Sequence, residues 1–120
     1  MEISTSDALA RALDYGSLKM QALSNNLSNF NTPGYKRRDV PFADLLNTAV
    51  SDDDPHGDNL EKPAITISNP GGAMRLDGNN VDIDTETASM AATEIFYNGA
   101  AQLMQNKFTA LKYVISGGGQ

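Results

Sequence analysis

Residues 25–36 read NNLSNFNTPGYK and decide how this chain folds, because they predict where a helix ends and how the chain turns. Thr32 precedes a proline, whose ring disfavours the helical conformation at the residue before it. Pro33 sets φ at the first central position of a turn, and Gly34 can adopt the positive φ that a type II turn requires at the second. The sequence therefore predicts a helix that stops just before a tight turn.

Two long helices are predicted, one before this turn and one near the C-terminus, with a middle segment between them. Residues 5–30 carry apolar side chains at alternating spacings of four and three, which is the coiled-coil pattern, with Gly16 as the exception. Residues 85–116 repeat the pattern with Glu94 as the exception. Ser4 or Ser6 is expected to cap the first helix and Asp84 the second. We expect a mainly α fold, an antiparallel α-helical hairpin or coiled coil formed by the two terminal helices.

The region between the helices has a different composition and is expected to be irregular. Residues 31–46 form a turn and post-turn segment, in which Phe42, Leu45 and Leu46 are expected to make a short helical turn. Residues 47–84 are expected to be loop and short β structure, with an acidic loop at 51–59. A brief strand at 64–68 is predicted to pair with a second around 73–76. The 120 residues are expected to form a single domain.

The helices are unusually poor in charge. Residues 20–35 carry none, and residues 85–115 carry only Glu86, Glu94, Lys107 and Lys112. A solvent-facing helix normally carries interleaved charges, whereas the core of an interface lacks them. A hairpin can also shield its apolar stripe from one side only. We therefore expect both helices to pack against other subunits and to become fully ordered only on assembly, although a self-contained hairpin with ordinary polar faces is the alternative.

Composition argues against several classes of function. The net charge of −6 disfavours nucleic-acid binding, and the basic cluster at 36–38 is expected to be a solvated or salt-bridging segment. No apolar run is long enough to cross a membrane, and the N-terminus lacks the pattern of a cleaved signal peptide. His56 is the only histidine and there is no cysteine, so neither a metal site nor a catalytic triad is expected. Residues 77–86 do not fit a calcium-binding loop. We expect no enzyme and no cofactor.

The string at 25–36 resembles the signature of the flagellar basal-body rod protein family. The continuation at 36–46 (KRRDVPFADLL) and the segment at 77–84 (DGNNVDID) are similar to the proximal-rod subunits within that family. The resemblance covers roughly residues 5–46 and 76–117. It implies a structural subunit of the bacterial flagellar basal body that is exported without signal cleavage by the type III apparatus. Such a subunit would polymerise in the periplasm with itself, other rod subunits, and the adaptor that joins rod to ring and export gate.

Two groups of residues are the candidates for this role. The helix-packing seam comprises Leu9, Leu13, Met20, Leu23, Leu27, Met90, Tyr97, Met104, Phe108, Leu111 and Ile115. The turn and its amides comprise Asn25, Asn26, Asn29, Asn31, Thr32, Pro33, Gly34 and Tyr35. The alternatives are a sibling rod subunit, a soluble coiled-coil adaptor of a secretion system that captures one partner helix, and a loop-based hydrolase that uses His56.

Overall fold

The computed structural model describes residues 5–42, 64–68 and 75–117. Helix α1 spans Thr5–Ser28 and helix α2 spans Ile83–Gly117. Strands β1 (Arg38–Asp39) and β2 (Thr66–Ile67) lie between them in the chain. The two helices pack against each other in antiparallel directions, which confirms the predicted mainly α hairpin with a small β element in the middle.

Helix α1 ends two residues earlier than predicted, and the tight turn follows. The amide of Asn29 still reaches the carbonyl of Asn25, but Phe30 already lies in the turn region. The amide of Tyr35 donates to the carbonyl of Thr32 at 3.2 Å, and Gly34 has a φ of 72°. This positive φ at the second central position is the conformation that the Pro-Gly pair predicted.

Helix α2 begins two residues earlier than predicted because its cap is Asp82 and not Asp84. One carboxylate oxygen of Asp82 accepts from the amide of Asp84 at 3.1 Å, and the other accepts from the hydroxyl of Thr85 at 3.0 Å. The carbonyl of Asp82 accepts the first helical bond, from the amide of Glu86. At the start of α1, Ser6 lies inside the helix and Ser4 lies outside the described residues.

The strand predicted at 64–68 forms, but its partner is not the one expected. In the described part of the chain, β2 pairs antiparallel with β1, with Arg38 opposite Ile67 and Asp39 opposite Thr66. Arg75 begins a turn, closed by a bond from the amide of Gly78 to its carbonyl at 2.8 Å. Residues 73 and 74, Leu45, Leu46 and the predicted acidic loop at 51–59 lie outside the described residues.

The apolar core is small and sits beside the strands. Tyr15, Ala22 and Val40 form a buried cluster, with Leu18 and Ile65 packed against it. The ring of Tyr15 makes edge-to-face contacts with Phe42 and Phe96, with centroids 5.6 and 6.0 Å apart. Such a core packs the middle of α1 against the strand region and against α2.

The buried face of α2 differs from the predicted seam at every second position, where the residue one place earlier in the chain is the buried one. The side chains of Glu86, Thr93 and Ala100 are buried, at spacings of seven, and each is followed three or four residues later by a half-buried one: Met90, Tyr97 and Met104. Glu94 points to solvent, so it does not interrupt the seam. Thr93 is accommodated because its hydroxyl donates to the carbonyl of Ser89 at 2.7 Å.

Gly16, the apparent defect in the first helix, is required by the packing. It is buried against Tyr97, and a Cβ at this position would lie 3.0 Å from the Cδ2 atom of that ring. A larger residue would force the aromatic ring away from α1. The missing side chain therefore lets the two helices approach where Tyr97 crosses.

Candidate functional site

A set of buried and half-buried polar side chains joins the end of α1 to the start of α2. We call it the polar clamp and define it by Asn26, Arg37, Asp39, Asn79 and Glu86. Within the described residues, every buried side-chain nitrogen or oxygen has a hydrogen-bond partner. A fully satisfied network of this kind fixes geometry, since each partner has a preferred direction.

Asn26 is the centre of the clamp and has no exposed surface. Its Nδ2 donates to the Glu86 Oε2 at 2.8 Å and to the carbonyl of Arg38 at 2.7 Å. Its Oδ1 accepts from the amide of Arg38 at 2.8 Å and from the hydroxyl of Tyr35 at 3.3 Å. One amide side chain thus ties α1 to β1, to the turn and to the first turn of α2.

Glu86 is a completely buried carboxylate, and Arg37 neutralises it. The Nε of Arg37 donates to the Glu86 Oε1, while Asn26 occupies the other oxygen. Burial opposes the charge on Arg37, but the hydrogen bond to Glu86 and the neighbouring carboxylates outweigh it and raise the pKa of Arg37. A buried ion of this kind is tolerable only because it is both paired and hydrogen-bonded.

Asp39 continues the ionic chain toward the middle of α1. Its Oδ2 accepts from the Nη1 of Arg37 at 3.0 Å, and its Oδ1 accepts from Lys19. Burial alone would raise the pKa of Asp39, but the bond from Lys19 and the two positive charges outweigh burial and lower it. Asp39 is therefore held ionised between α1 and the side chain of Arg37.

Asn79 caps the turn that follows α1 from a distant part of the chain. Its Nδ2 lies within hydrogen-bond distance of three carbonyls, those of Asn29, Phe30 and Thr32, at 3.0, 3.0 and 2.8 Å. Its Oδ1 accepts from the amide of Val81 at 2.8 Å. These carbonyls also accept other bonds, from the amides of Thr32 and Tyr35 and from Arg75, so the contribution of Asn79 is to tie the turn after α1 to the segment before α2.

Three further bonds fasten the turn to the segment before α2. The amide of Gly34 donates to the carbonyl of Asp77 at 2.8 Å, and Lys36 donates to the carbonyl of Gly78 at 2.6 Å. The amide of Arg37 donates to the Oδ1 of Asn80 at 2.6 Å. The two sequence segments that carried the family resemblance are thus each other's binding partners inside one chain.

The predicted turn amides consequently have different surroundings. Asn26 faces inward, and the Nδ2 of Asn29 donates to the carbonyl of Asn25 at 2.8 Å. Asn31, Thr32, Pro33 and Gly34 are exposed, whereas Asn25, Asn29 and Tyr35 are half-buried. Contact with another subunit is therefore not available to Asn26, while it remains open to the exposed residues of the turn.

The predicted seam divides into a packed part and an exposed part. Leu23 is fully buried. The half-buried seam residues are Leu9, Leu13, Met20 and Leu27 of α1 and Met90, Tyr97 and Met104 of α2. Phe108, Leu111 and Ile115 are exposed, with 47–81% of their surface accessible. The spacing from Gly16 and Tyr97 places Thr5 beside Phe108, so the end of α2 runs past the first described residue of α1.

We call residues 103–117 the α2 tail. Its large apolar side chains lie on several sides of the helix, and the exposed ones are Leu103, Phe108, Leu111, Tyr113, Val114 and Ile115. A helix that is apolar all round is normally buried in a larger structure, and a contiguous exposed apolar patch marks an interaction surface. No helix within 5–42 or 75–117 has the length and hydropathy of a membrane span.

Asp39, Asn79 and Glu86 belong to the clamp but were not among the sequence candidates, and Arg37 was expected only as part of a solvated or salt-bridging segment. Glu86 lies seven residues before Thr93, which is the spacing of a seam position, but an acidic residue there is also typical of the first turn of a helix. Only the contrast between one acidic residue and an otherwise uncharged seam could have indicated a buried partner for Arg37. Within the described residues, no three His, Cys, Asp or Glu side chains are grouped to hold a metal ion.

A rigid clamp at one end and an exposed apolar helix at the other define a helical structural protein built to pack against other chains. The family described as "Flagella basal body rod protein" matches residues 7–36. The chain is 31% identical to the flagellar basal body rod protein FlgB of Bacillus subtilis, with 92% of each chain covered. It is 25% identical to FlgB of Borreliella burgdorferi (88% of this chain, 90% of that one) and 27% identical to FlgB of Salmonella typhimurium, with 89% of each covered.

The chain belongs to the FlgB family of flagellar basal body rod proteins. It is a structural subunit of the basal-body rod, and membership implies assembly with other rod subunits. The relatives favour this role over a soluble secretion adaptor. The family match at 7–36 covers most of α1 and the turn, and of the clamp residues it includes Asn26.

Proposed function

We propose that the chain, acting as a single domain over residues 1–120, polymerises through its terminal helices into the proximal part of the flagellar rod. The polar clamp sets the angle between the helices, and the α2 tail supplies the surface that neighbouring subunits cover. The observation that carries the proposal is that the apolar side chains of the α2 tail are exposed while the clamp at the other end of α2 is fully satisfied.

The predicted seam residues take two roles in this proposal. Those that are buried or half-buried hold the hairpin together, and Phe108, Leu111 and Ile115 pack against other subunits. The exposed turn residues, Asn31 to Gly34, offer a second contact at the other end. The partners are copies of the same chain, other rod subunits, and the adaptor that links the rod to the ring and the export gate.

The proposal extends to where and how the subunit reaches the rod. It is exported without a cleaved signal peptide by the flagellar type III apparatus and assembles in the periplasm, where it transmits torque and catalyses no reaction.

The test is a pair of variants examined in a strain that lacks the chromosomal gene. The double variant Leu111→Ser, Ile115→Ser removes two exposed apolar side chains from the α2 tail. Burying each in an interface contributes about 1.5–3 kcal/mol, so their loss weakens each contact by at least about 100-fold. We expect normal cooperative unfolding of the isolated chain but no incorporation into basal bodies and no motility.

The matched control is Ile67→Ser, which removes an equally exposed aliphatic side chain from β2, outside the helices. It is expected to restore motility. Incorporation of the double variant at the wild-type level would show that the α2 tail is not an assembly surface.

A further inference from the structure

Residues 75–79 form a tight turn at the clamped end of the hairpin, which we call the apical turn. The amide of Gly78 donates to the carbonyl of Arg75 at 2.8 Å, and the amide of Arg75 donates to the carbonyl of Asn79 at 3.1 Å. Leu76 occupies the first central position of the turn, and its side chain is completely exposed. A single exposed leucine is common on protein surfaces, so its surroundings decide whether it has a role.

The backbone of the apical turn is held from several directions. The carbonyl of Asp77 accepts from the amide of Gly34 at 2.8 Å. The carbonyl of Gly78 accepts from the Nζ of Lys36 at 2.6 Å, and the Oδ1 of Asp77 accepts from the amide of Asn79 at 3.1 Å. A turn that is fixed in this way loses little conformational entropy when it binds a partner.

The charged side chains of the apical turn are also engaged within the chain. The guanidinium of Arg75 lies 4.9 Å from the centroid of the Phe30 ring and donates to the carbonyl of Phe30 at 3.1 Å. The same guanidinium pairs with Asp77 at 3.5 Å. Leu76 therefore projects from a preorganised surface, and none of the described residues covers its side chain.

The shape and charge of this surface indicate what can cover it. A leucine at the apex of a turn is convex, so its receptor is a concave apolar pocket. Arg75 and Asp77 neutralise each other, and the exposed residues 31–34 of the neighbouring turn carry no charge. Complementarity to such a surface requires a pocket whose rim is polar but uncharged.

A second copy of this chain matches that description poorly. Its α2 tail is a helix with apolar side chains on several sides, which presents a convex surface and not a pocket. Its open groove of about 540 Å³ beside Phe30 and Ile83 is lined by Asp82 and Asp84. A leucine inserted there would remove water from two carboxylates without supplying a hydrogen bond.

We propose that Leu76 is an anchor that inserts into an apolar pocket, with an uncharged rim, on a different protein of the basal body. This inference rests on the proposed function. It assigns the clamped end of the hairpin to a contact with an unlike partner, while the α2 tail at the other end packs against rod subunits.

The first experiment measures incorporation into basal bodies in the strain that lacks the chromosomal gene. Leu76→Ser removes the anchor, and urea unfolding should be unchanged because the side chain is fully exposed. Full burial of a leucine changes a binding constant by about 10- to 150-fold, so the amount of chain in isolated basal bodies should fall at least about tenfold. Leu76→Met keeps an apolar side chain of similar volume and should incorporate normally. Ile67→Ser, at an exposed aliphatic residue of β2, is the matched control and should also incorporate normally.

The second experiment identifies what lies against the apical turn. Leu76→p-benzoylphenylalanine places a photoreactive group at the apex, and cells with assembled basal bodies are irradiated. The expected product contains this chain and one different protein, and mass spectrometry of the crosslinked peptide locates the pocket. Ile67→p-benzoylphenylalanine is the control and should give no comparable product.

Four results would overturn the inference: a crosslink to a second copy, a crosslink within the chain, no crosslink at all, or incorporation of Leu76→Ser at the wild-type level. The variants of the α2 tail separate these results from failure of the proposed function. If Leu111→Ser, Ile115→Ser abolishes incorporation while Leu76→Ser incorporates normally, the rod role stands and the anchor is wrong.

Discussion

Replacing Arg37 with methionine tests whether the polar clamp holds the two helices together. Methionine keeps most of the length of the arginine stem but removes both bonds to Glu86 and Asp39. Glu86 then stays at a position with no exposed surface and, among the described residues, retains only the amide of Asn26 as a side-chain donor. The perturbation therefore leaves a buried negative charge without a counterion.

The expected loss is a large part of the total stability. Removing one partner of a buried ion pair costs about 3–5 kcal/mol, because the remaining charge stays desolvated. A domain of this size has about 5–15 kcal/mol of unfolding free energy in total. Glu86→Gln should cost less, about 1–3 kcal/mol, because the glutamine still accepts hydrogen bonds but needs no counterion.

Urea unfolding followed by circular dichroism at 222 nm measures these changes. The double variant Arg37→Met, Glu86→Gln should lose less than the sum of the two single losses, by about 1–3 kcal/mol, since it no longer leaves Glu86 charged without a counterion. Arg38→Met is the matched control, because Arg38 is exposed and adjacent in the chain, and it should stay within about 0.5 kcal/mol of wild type. A loss below about 1 kcal/mol for Arg37→Met, or additive losses in the double variant, would refute the clamp as the source of hairpin geometry.

Two further predictions concern the clamped end of the molecule, and a third concerns the middle of α2. The folded-state pKa of Asp39 is lowered, so Asp39 stabilises the fold fully above its unfolded-state pKa of about 4 and loses this contribution as the pH falls through the folded-state value. Urea titrations at several pH values should show that the free energy of unfolding falls less at acid pH in Asp39→Asn than in the wild-type chain. An equal fall in both chains would contradict the assignment. Gly34→Val should cost about 1–3 kcal/mol and block incorporation, because Gly34 has a φ of 72° and a Cβ added there would meet no atom within 4 Å, so that strain in the backbone is the whole effect. Gly99→Ala, in an open helical position, should instead gain about 0.5–1 kcal/mol in the same unfolding assay, and a neutral Gly34→Val would argue against the turn geometry.

The helices and the turn could be predicted because their signals are local. The spacing of the apolar residues and the Pro33–Gly34 pair depend on neighbours within one or two helical turns. The strand pairing could not be predicted, because Thr66 of β2 pairs with Asp39 of β1, 27 positions away, and the alternation at 64–68 does not specify which segment it joins. The cap of α2 was misplaced because Asp82 and Asp84 have the same chemistry at nearby positions.

The site was harder to predict than the fold because its parts lie far apart in the chain. Asn26 and Glu86 are 60 positions apart, and Asn79 reaches carbonyls 47–50 positions away. An uncharged helix face has the same sequence pattern whether its amides bind another subunit or another part of the same chain. The absence of charge around Asn26 therefore predicts an external interface, although the structure uses that amide internally.

The distribution of polar and apolar groups explains how a small chain can have a fixed interhelical geometry and still expose an apolar surface for assembly. The largest fully buried side chains include Glu86, Asn26 and Asn79, while most of the large apolar side chains of the α2 tail remain exposed. A conventional apolar core would hold the helices together, but it would use the residues that an assembly needs and would specify the interhelical angle less strictly. Directional hydrogen bonds fix the clamped end with few residues. The apolar surface that the hairpin does not use can then be buried between subunits, where the free energy of its burial stabilises the assembly and not the isolated chain.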